Sequence, residues 1–309
     1  MRSLRKWGYS MNKSNASADS IQSGNDPSYT FEIIQMSLLR RAWNRGQIVI
    51  LPLAAIGFFI GLWQAVVDIF DVKPFILASP SAVISAMINR WGPLAEHMVP
   101  TATEILIGFL LAACVGTLLA VLIVTSRVLE QMLYPLLVIS QTVPQIAVAP
   151  LLIVWFGFGM LPKILVAFVI SFFPIVVNTA TGLRSVPQEL SDLAVSMGGS
   201  RLAIFRRIRF PHALPHLFAG LKVGIALAVI GAVVGEFAGS DKGLGYLIRR
   251  AAGRADVAYV LAAVALLSAM GIIGFVLIEL LERITIPWHT SRRRQTHRPE
   301  ATLVSVRHN

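Results

Sequence analysis

Six stretches of this chain carry about 20 or more predominantly apolar residues, the length a helix needs to cross the hydrocarbon core of a bilayer. They run over 48–70, 101–125, 130–158, 162–183, 216–238 and 257–284. In hydrocarbon, every backbone N–H and C=O must be satisfied within its own segment or in a closed barrel. Runs of this length therefore predict an all-α, polytopic membrane protein with six transmembrane helices. Composition agrees: 14% of the residues are charged and 55% are hydrophobic. A soluble domain carries about 25% charged residues.

An even number of spans puts both termini on one side, and the bases indicate which. With the N-terminus inside, nineteen Lys and Arg fall on inner segments and seven on outer ones. Lys222, near the inner end of the fifth span, snorkels. The positive-inside bias thus predicts cytoplasmic termini. One outer loop dissents, since 239–256 holds Lys242, Arg249, Arg250 and Arg254. The net charge of +11 does not make a nucleic-acid binder. The bases lie scattered in loops and tails, where anionic lipid headgroups account for them. Three regions follow: a disordered cytoplasmic tail over 1–46, a membrane domain over 47–286, and a basic cytoplasmic tail over 287–309. The first span starts too deep for a cleavable signal peptide.

Small residues predict close helix packing. Gly108, Ala112, Gly116 and Ala120 repeat at four-residue spacing in the second span. Gly220, Gly224, Ala228, Gly231 and Gly235 line the fifth. Such stripes let helix backbones approach in lipid. Pro135, Pro144 and Pro150 interrupt the third span, with Gln141, Thr142 and Gln145 beside the middle break. Freed backbone and amides at membrane depth belong in a protein interior or a wet cavity; a plain proline kink satisfied by neighbours is the other reading. Between the first two spans, Ser79-Pro80 caps an amphipathic helix through Val83, Ile84, Met87, Ile88 and Trp91. It either lies on the outer membrane face or packs on the ends of the spans.

Several chemistries have no foothold. There is no GxxxxGK[ST] phosphate loop, so the chain does not bind ATP in that way. HExxH, CxxC and GxSxG are missing as well. Cys114 is the single cysteine, which leaves no disulfide framework. His97, His212, His216 and His289 read as solvated loop residues without metal-ligand spacing. Glu104 and Glu236 are the intramembrane acids, both near outer span ends, and they make no proton relay through the membrane. A transporter with neither a nucleotide site nor a relay must draw its energy from a partner.

The segment suited to such a partner is the polar stretch 185–215, longer than a connection between two spans requires. Pro187 opens a helix with Glu189 and Asp192 in its first turns, where the helix dipole favours acids. Leu190, Leu193, Ala194 and Met197 form an apolar stripe, and Gly198-Gly199 stops the helix. A second short helix follows, with Leu202, Ile204, Phe205 and Ile208 among Arg201, Arg206, Arg207 and Arg209, ended by Pro211. An apolar ridge with a basic flank suits a groove on another protein; lying on the inner leaflet is the alternative.

At these residues the chain resembles the permeases of binding-protein-dependent ABC importers. Their loop signature is Glu-Ala-Ala, a Gly, then Ile-x-Leu-Pro; the matching positions here are Asp192-Leu193-Ala194, Gly198, Ile208 and Phe210-Pro211. Asp for Glu keeps the charge, while Leu for Ala enlarges the ridge. The resemblance covers roughly 75–288, and includes Trp155-Phe156-Gly157, Phe172-Phe173-Pro174 and Gly235-Glu236 followed by Gly243-Leu244-Gly245. It implies a type I importer permease fold and an ATPase-coupling role for Glu189, Asp192, Ala194, Gly198, Arg201, Phe205, Ile208 and Pro211. It also implies a bacterial inner-membrane location. The partners implied are a second copy of the chain, two ATPase subunits that bind ATP and Mg, an extracytoplasmic binding protein and membrane lipid. The chain itself needs no cofactor and has no catalytic residue. The solute is expected to be a pyrimidine or thiamine-precursor-like heterocycle, with nitrate, sulfonates or taurine as the alternative. Gln141, Gln145, Asn178, Thr179 and Glu236 are the expected pathway residues, with Glu236 repelling small anions near an outer gate. Two rival classes stay open: a secondary transporter or channel, and a non-transporting membrane scaffold.

Overall fold

The computed structural model describes residues 50–140 and 142–287, and two units are recognised, meeting between Ile69 and Phe70. Of the expected tails over 1–46 and 287–309, only Pro287 lies within the described residues. The first unit contributes one helix, α1 (Ile50–Ile69), 20 residues long and apolar enough to span a bilayer.

The second unit holds α2 (Pro80–Asn89), α3 (Trp91–Thr125), α4 (Arg127–Ser140), α5 (Gln145–Phe156) and α6 (Met160–Arg184). It continues with α7 (Gln188–Ser196), α8 (Arg201–Ile204), α9 (Phe210–Gly239), α10 (Leu244–Ala252) and α11 (Val257–Thr285). No strand occurs among the described residues.

Among the described residues, five helices are long and apolar enough to span: α1, α3, α6, the continuous run Arg201–Gly239, and α11. The third predicted span, 130–158, is not one helix. It divides into α4 and α5, because Pro144 has no N–H to continue the ladder and takes an extended backbone, ψ 98°. Thr142 turns back at the break, its N–H and hydroxyl both donating to the Ile139 carbonyl. The second span is longer than predicted. Its helix begins at Trp91 and carries Pro100 inside it.

The core of this unit is α6 between α3 and α9. A Cβ added at Gly108 would meet Ala167 Cβ at 2.6 Å, and one at Gly116 would meet Ile175 at 3.2 Å, so α3 runs parallel to α6. Added Cβ atoms at Gly220, Gly224, Gly231 and Gly235 would press on Asn178, Ile175, Ala167 and Lys163 in turn. The descending order makes α9 antiparallel to α6. Both small-residue stripes therefore serve one central helix. The close contact they allow supplies the dispersion that drives association in lipid.

Ser79 caps α2 as its sequence suggests, accepting from Ala82 N at 3.3 Å with Pro80 at the helix start. The helix packs against α11 and α3, burying Val83, while Ile84 and Ile88 stay exposed.

Candidate functional site

The 185–215 segment forms at the end of α6 where Arg184 leaves the bundle. Helix α7 closes in a Schellman arrangement: Gly199 N donates to the Ala194 carbonyl and Gly198 N to the Val195 carbonyl, each at 2.9 Å. The two glycines act for different reasons. Gly198 sits at φ +81° with open space around it, so its constraint is backbone conformation. At Gly199 the φ is ordinary, but a Cβ would meet the Ala194 carbonyl at 2.6 Å. Ser200 then caps α8, accepting from Ala203 N at 3.3 Å.

Pro211 does not end the second helix. Residues Phe205–Arg209 form a single π turn, and the helix runs on into α9 with Pro211 in its first turn. A proline inside a helix lacks the N–H that would reach four residues back, and a π turn absorbs the mismatch. The 201–209 segment is thereby joined to α9 without a break, while α7 precedes it across the Gly198-Gly199 turn.

The face of this segment is unfinished within the chain. Met197 is 81% and Leu202 66% exposed, with Leu190, Leu193 and Val195 also open. Ile204 is buried, and the Phe205 and Phe210 rings pack 6.0 Å apart. Glu189, Asp192, Arg201, Arg206 and Arg207 are exposed, and none forms an ion pair among the described residues. Ala194, Ile208 and Pro211 are half-buried. All eight predicted coupling residues thus fall on one segment, Glu189, Asp192, Ala194 and Gly198 beyond the end of α6 at Arg184 and the other four on the start of the Arg201–Gly239 run.

Among the pathway residues whose side chains are described, Asn178 and Thr179 lie apart from Glu236. Gln141 lies outside the described residues, and only the backbone of Gln145 is described, as the first residue of α5. Asn178 and Thr179 sit in α6 beside α9. Asn178 donates to the Pro174 carbonyl at 2.7 Å, and the buried Thr179 hydroxyl has no hydrogen-bond partner among the described residues. Glu236 lies near the other end of the helix pair, beside Lys163. Fifteen residues of α6 separate Lys163 from Asn178, or about 22 Å at 1.5 Å per residue.

Glu236 is fully buried. It accepts from Thr101 Oγ1 at 2.6 Å and from the Gly245 N–H. Thr101 in turn accepts from Leu244 N at 2.8 Å. The two turn glycines are required by this carboxylate: a Cβ at Gly243 would lie 2.1 Å from Oε1, and one at Gly245 would lie 2.7 Å from Oε2. Gly243 also has φ +109°, and its N–H donates to His97 Nδ1 at 2.9 Å. His97 is therefore not a solvated loop residue; it lies on α3 and holds the turn. No group of three or more potential metal ligands exists among the described residues.

Lys163 is the residue that sequence reading missed. It is one of the seven bases that the positive-inside reading assigns to outer segments, but it lies in the first turns of α6, buried, with its ammonium 2.5 Å from Glu104 and 3.0 Å from Ser240 Oγ. The dissenting bases of 239–256 find a partial explanation beside it. Arg249 donates to the Phe237 and Ser240 carbonyls at 2.8 and 3.0 Å, capping the C-terminal end of α9, where a cation is favoured. Arg90 pairs with Asp256, the cap of α11. These contacts clasp α10 and its turn to the ends of α3, α6 and α9.

Residues 105–286 match the family model described as the binding-protein-dependent transport system inner membrane component. The chain is 40% identical over 217 residues to the formylaminopyrimidine transport permease protein ThiX of Halalkalibacterium halodurans, covering 70% of this chain and 87% of that protein. It is 42% identical over 231 residues to the riboflavin transport system permease protein RibX of Chloroflexus aurantiacus, covering 74% and 86%. The taurine transport system permease protein TauC of Escherichia coli is 26% identical over 258 residues, covering 81% and 94%. Among solved structures, an inward-facing MetNI methionine ABC transporter chain matches with a TM-score of 0.50 at 17% identity, over 62% of this chain and 97% of that one. That likeness bears on the fold alone. With the matched domain covering most of the helices described above, the chain belongs to the inner-membrane permeases of binding-protein-dependent ABC transport systems.

Proposed function

We propose that this permease is the translocation subunit of an ATP-driven importer that carries a small, largely uncharged heterocycle. In this reading it works as a homodimer with two ATPase subunits and an extracytoplasmic binding protein. The termini are cytoplasmic, ATP and Mg bind only to the partner, and the 188–209 segment docks on it. The observation that carries the docking role is the exposed apolar ridge with unpaired charges, whose second half, from Arg201 on, is continuous with α9 through the π turn. ATP-driven closure of the ATPase pair draws the two ridges together. The rigid connection then turns that movement into rearrangement of the α6–α9 pair.

The solute class is supported by the two relatives at 40% and 42% identity, whose names specify a formylaminopyrimidine and riboflavin. The taurine permease stands at 26%. A nitrate, sulfonate or taurine importer is the alternative. Glu236 does not repel anions at an outer gate, because its buried carboxylate is engaged by Thr101 and the Gly245 N–H.

The test is Gly198→Val, purified with the cognate ATPase subunit. A β-branched side chain at φ +81° disrupts the turn that presents the ridge. The expected result is normal membrane insertion, lost ATPase capture and lost solute uptake. Full capture with normal solute-stimulated hydrolysis would refute the docking assignment.

A further inference from the structure

A cavity of about 400 Å³ opens between the start of α3, α10 and the start of α11. That volume is within the range of about 300–1,000 Å³ usual for small-ligand sites. Its polar lining is Arg90, His97, Arg250, Arg254, Asp256 and Tyr259. The turn that carries Arg254 and Asp256 is tightly built. Arg254 N and Asp256 N donate to the Ala251 carbonyl and Ala255 N to that of Ala252, each at 3.0 Å. Ala255 takes φ +54°, a left-handed backbone that a residue with a side chain seldom adopts. The reversal brings Asp256 within reach of Arg90.

Three guanidinium groups share this lining with one carboxylate, and the carboxylate is already spent. Asp256 accepts from Arg90 with Oδ2 and from Tyr259 N at 3.2 Å with Oδ1. Arg90 is further fixed by the Tyr259 ring, whose centre lies 5.0 Å from the guanidinium carbon. Arg250 and Arg254 are exposed and form no ion pair among the described residues. Each brings five N–H donors. His97 adds another: its Nδ1 accepts from the Gly243 N–H, so the ring proton sits on Nε2. Glu96, Asp241 and Lys242 stand near His97 outside the lining, and with them included the balance stays positive. An uncharged ligand leaves the two free guanidinium groups unmet. An anion with several oxygens meets them, and the planar fork of arginine suits a phosphate.

The surroundings of Arg90 select which phosphate. Ile84 and Ile88, one turn apart on α2, are exposed, and so is Trp91, the residue after Arg90. An open apolar helix face at the ends of spanning helices belongs at the level of the headgroups and upper acyl chains, where tryptophan also collects. We infer that this cavity holds the phosphodiester of an acidic phospholipid, its oxygens on Arg250, Arg254 and the His97 Nε2–H and its acyl chains along Ile84, Ile88 and Trp91. A soluble phosphate or an acidic protein segment would use the arginines but gain nothing from that apolar face. With the termini cytoplasmic, the lipid belongs to the outer leaflet. The inference goes beyond solute transport and requires only that α3 and α11 span the bilayer.

The test is native mass spectrometry of the full chain in detergent, titrated with phosphatidylglycerol or with phosphatidylcholine of the same acyl chains. One phosphatidylglycerol per chain should stay bound under conditions that strip phosphatidylcholine. Arg250→Gln with Arg254→Gln alters two exposed side chains and should weaken that retention about tenfold or more. Ile84→Ser with Ile88→Ser should weaken it severalfold. Equal retention of the two lipids, or full retention by the arginine variant, would overturn the inference. Displacement of the lipid by equimolar glycerol phosphate would overturn it in favour of a soluble phosphate. An arginine variant that keeps its lipid but no longer co-purifies with the extracytoplasmic binding protein would overturn it in favour of a protein-docking face. None of these results touches the ATPase capture test with Gly198→Val, so failure of this site and failure of the importer reading are separable.

Discussion

The two ends of the α6–α9 pair use charge in opposite ways. At the Lys163 end, the acids Glu104 and Glu236 are buried and held by Lys163, Thr101 and the Gly245 N–H. At the other end, Glu189, Asp192 and the arginines of 201–207 are exposed without an ion pair, beside apolar side chains that face outward. At the first end the buried charges meet within the chain, Lys163 against Glu104. Its charges are so enclosed that removing one partner strands the other. The second end is rigid in backbone, through the Schellman turn and π turn, yet incomplete in surface. Stability should therefore respond to substitutions at the first end, and partnership to substitutions at the second.

The largest expected effect is Lys163→Met. It leaves Glu104 buried without its cation, a loss of about 3–5 kcal/mol for a broken buried pair. Chemical denaturation in detergent micelles should register it, and Lys163→Met with Glu104→Leu should recover most of the loss. If the single variant is as stable as the native chain, the clasp is not a stabilising element.

Next comes Gly243→Ala. A side chain at φ +109° costs about 1–3 kcal/mol in backbone strain. Its Cβ would also displace the Glu236 carboxylate, which lies 2.1 Å from that position. A lowered thermal-unfolding midpoint is expected, with retained ATPase capture in the folded fraction. Loss of capture at an unchanged midpoint would show that the two ends are not separable in this way.

The smallest expected effect on stability is that of Met197→Ser. An exposed substitution away from special features stays within about 0.5 kcal/mol. ATPase capture should nevertheless fall severalfold, since the side chain belongs to the ridge. Co-purification yield checks it, and full yield would remove Met197 from the docking face.

Much of this contrast was legible in the sequence, because it rests on local patterns. Hydropathy located the apolar segments, four-residue spacing located the glycine stripes, and Pro187 with Gly198-Gly199 bounded α7. What escaped depends on residues distant in the chain. Nothing near Lys163 announces Glu104, so a lysine following a proline at a span boundary read as a loop base. Glu236 looked like an exposed gate residue because its partners, Thr101 and Gly245, come from another helix and from beyond a turn. Pro211 looked like a stop signal, since a sequence does not reveal whether a π turn will absorb the missing N–H. The single third span failed for a related reason: hydropathy sums over Pro144, but the backbone ladder cannot.

The central claim is that the 188–209 end awaits a partner while the clasp does not. Hydrogen exchange of the full chain in nanodiscs, measured with and without the cognate ATPase subunit, tests it most directly. The account predicts new protection across 188–209 on addition of the ATPase, with exchange over 236–252 unchanged. Unaltered exchange at 188–209, or protection confined to 236–252, would contradict it.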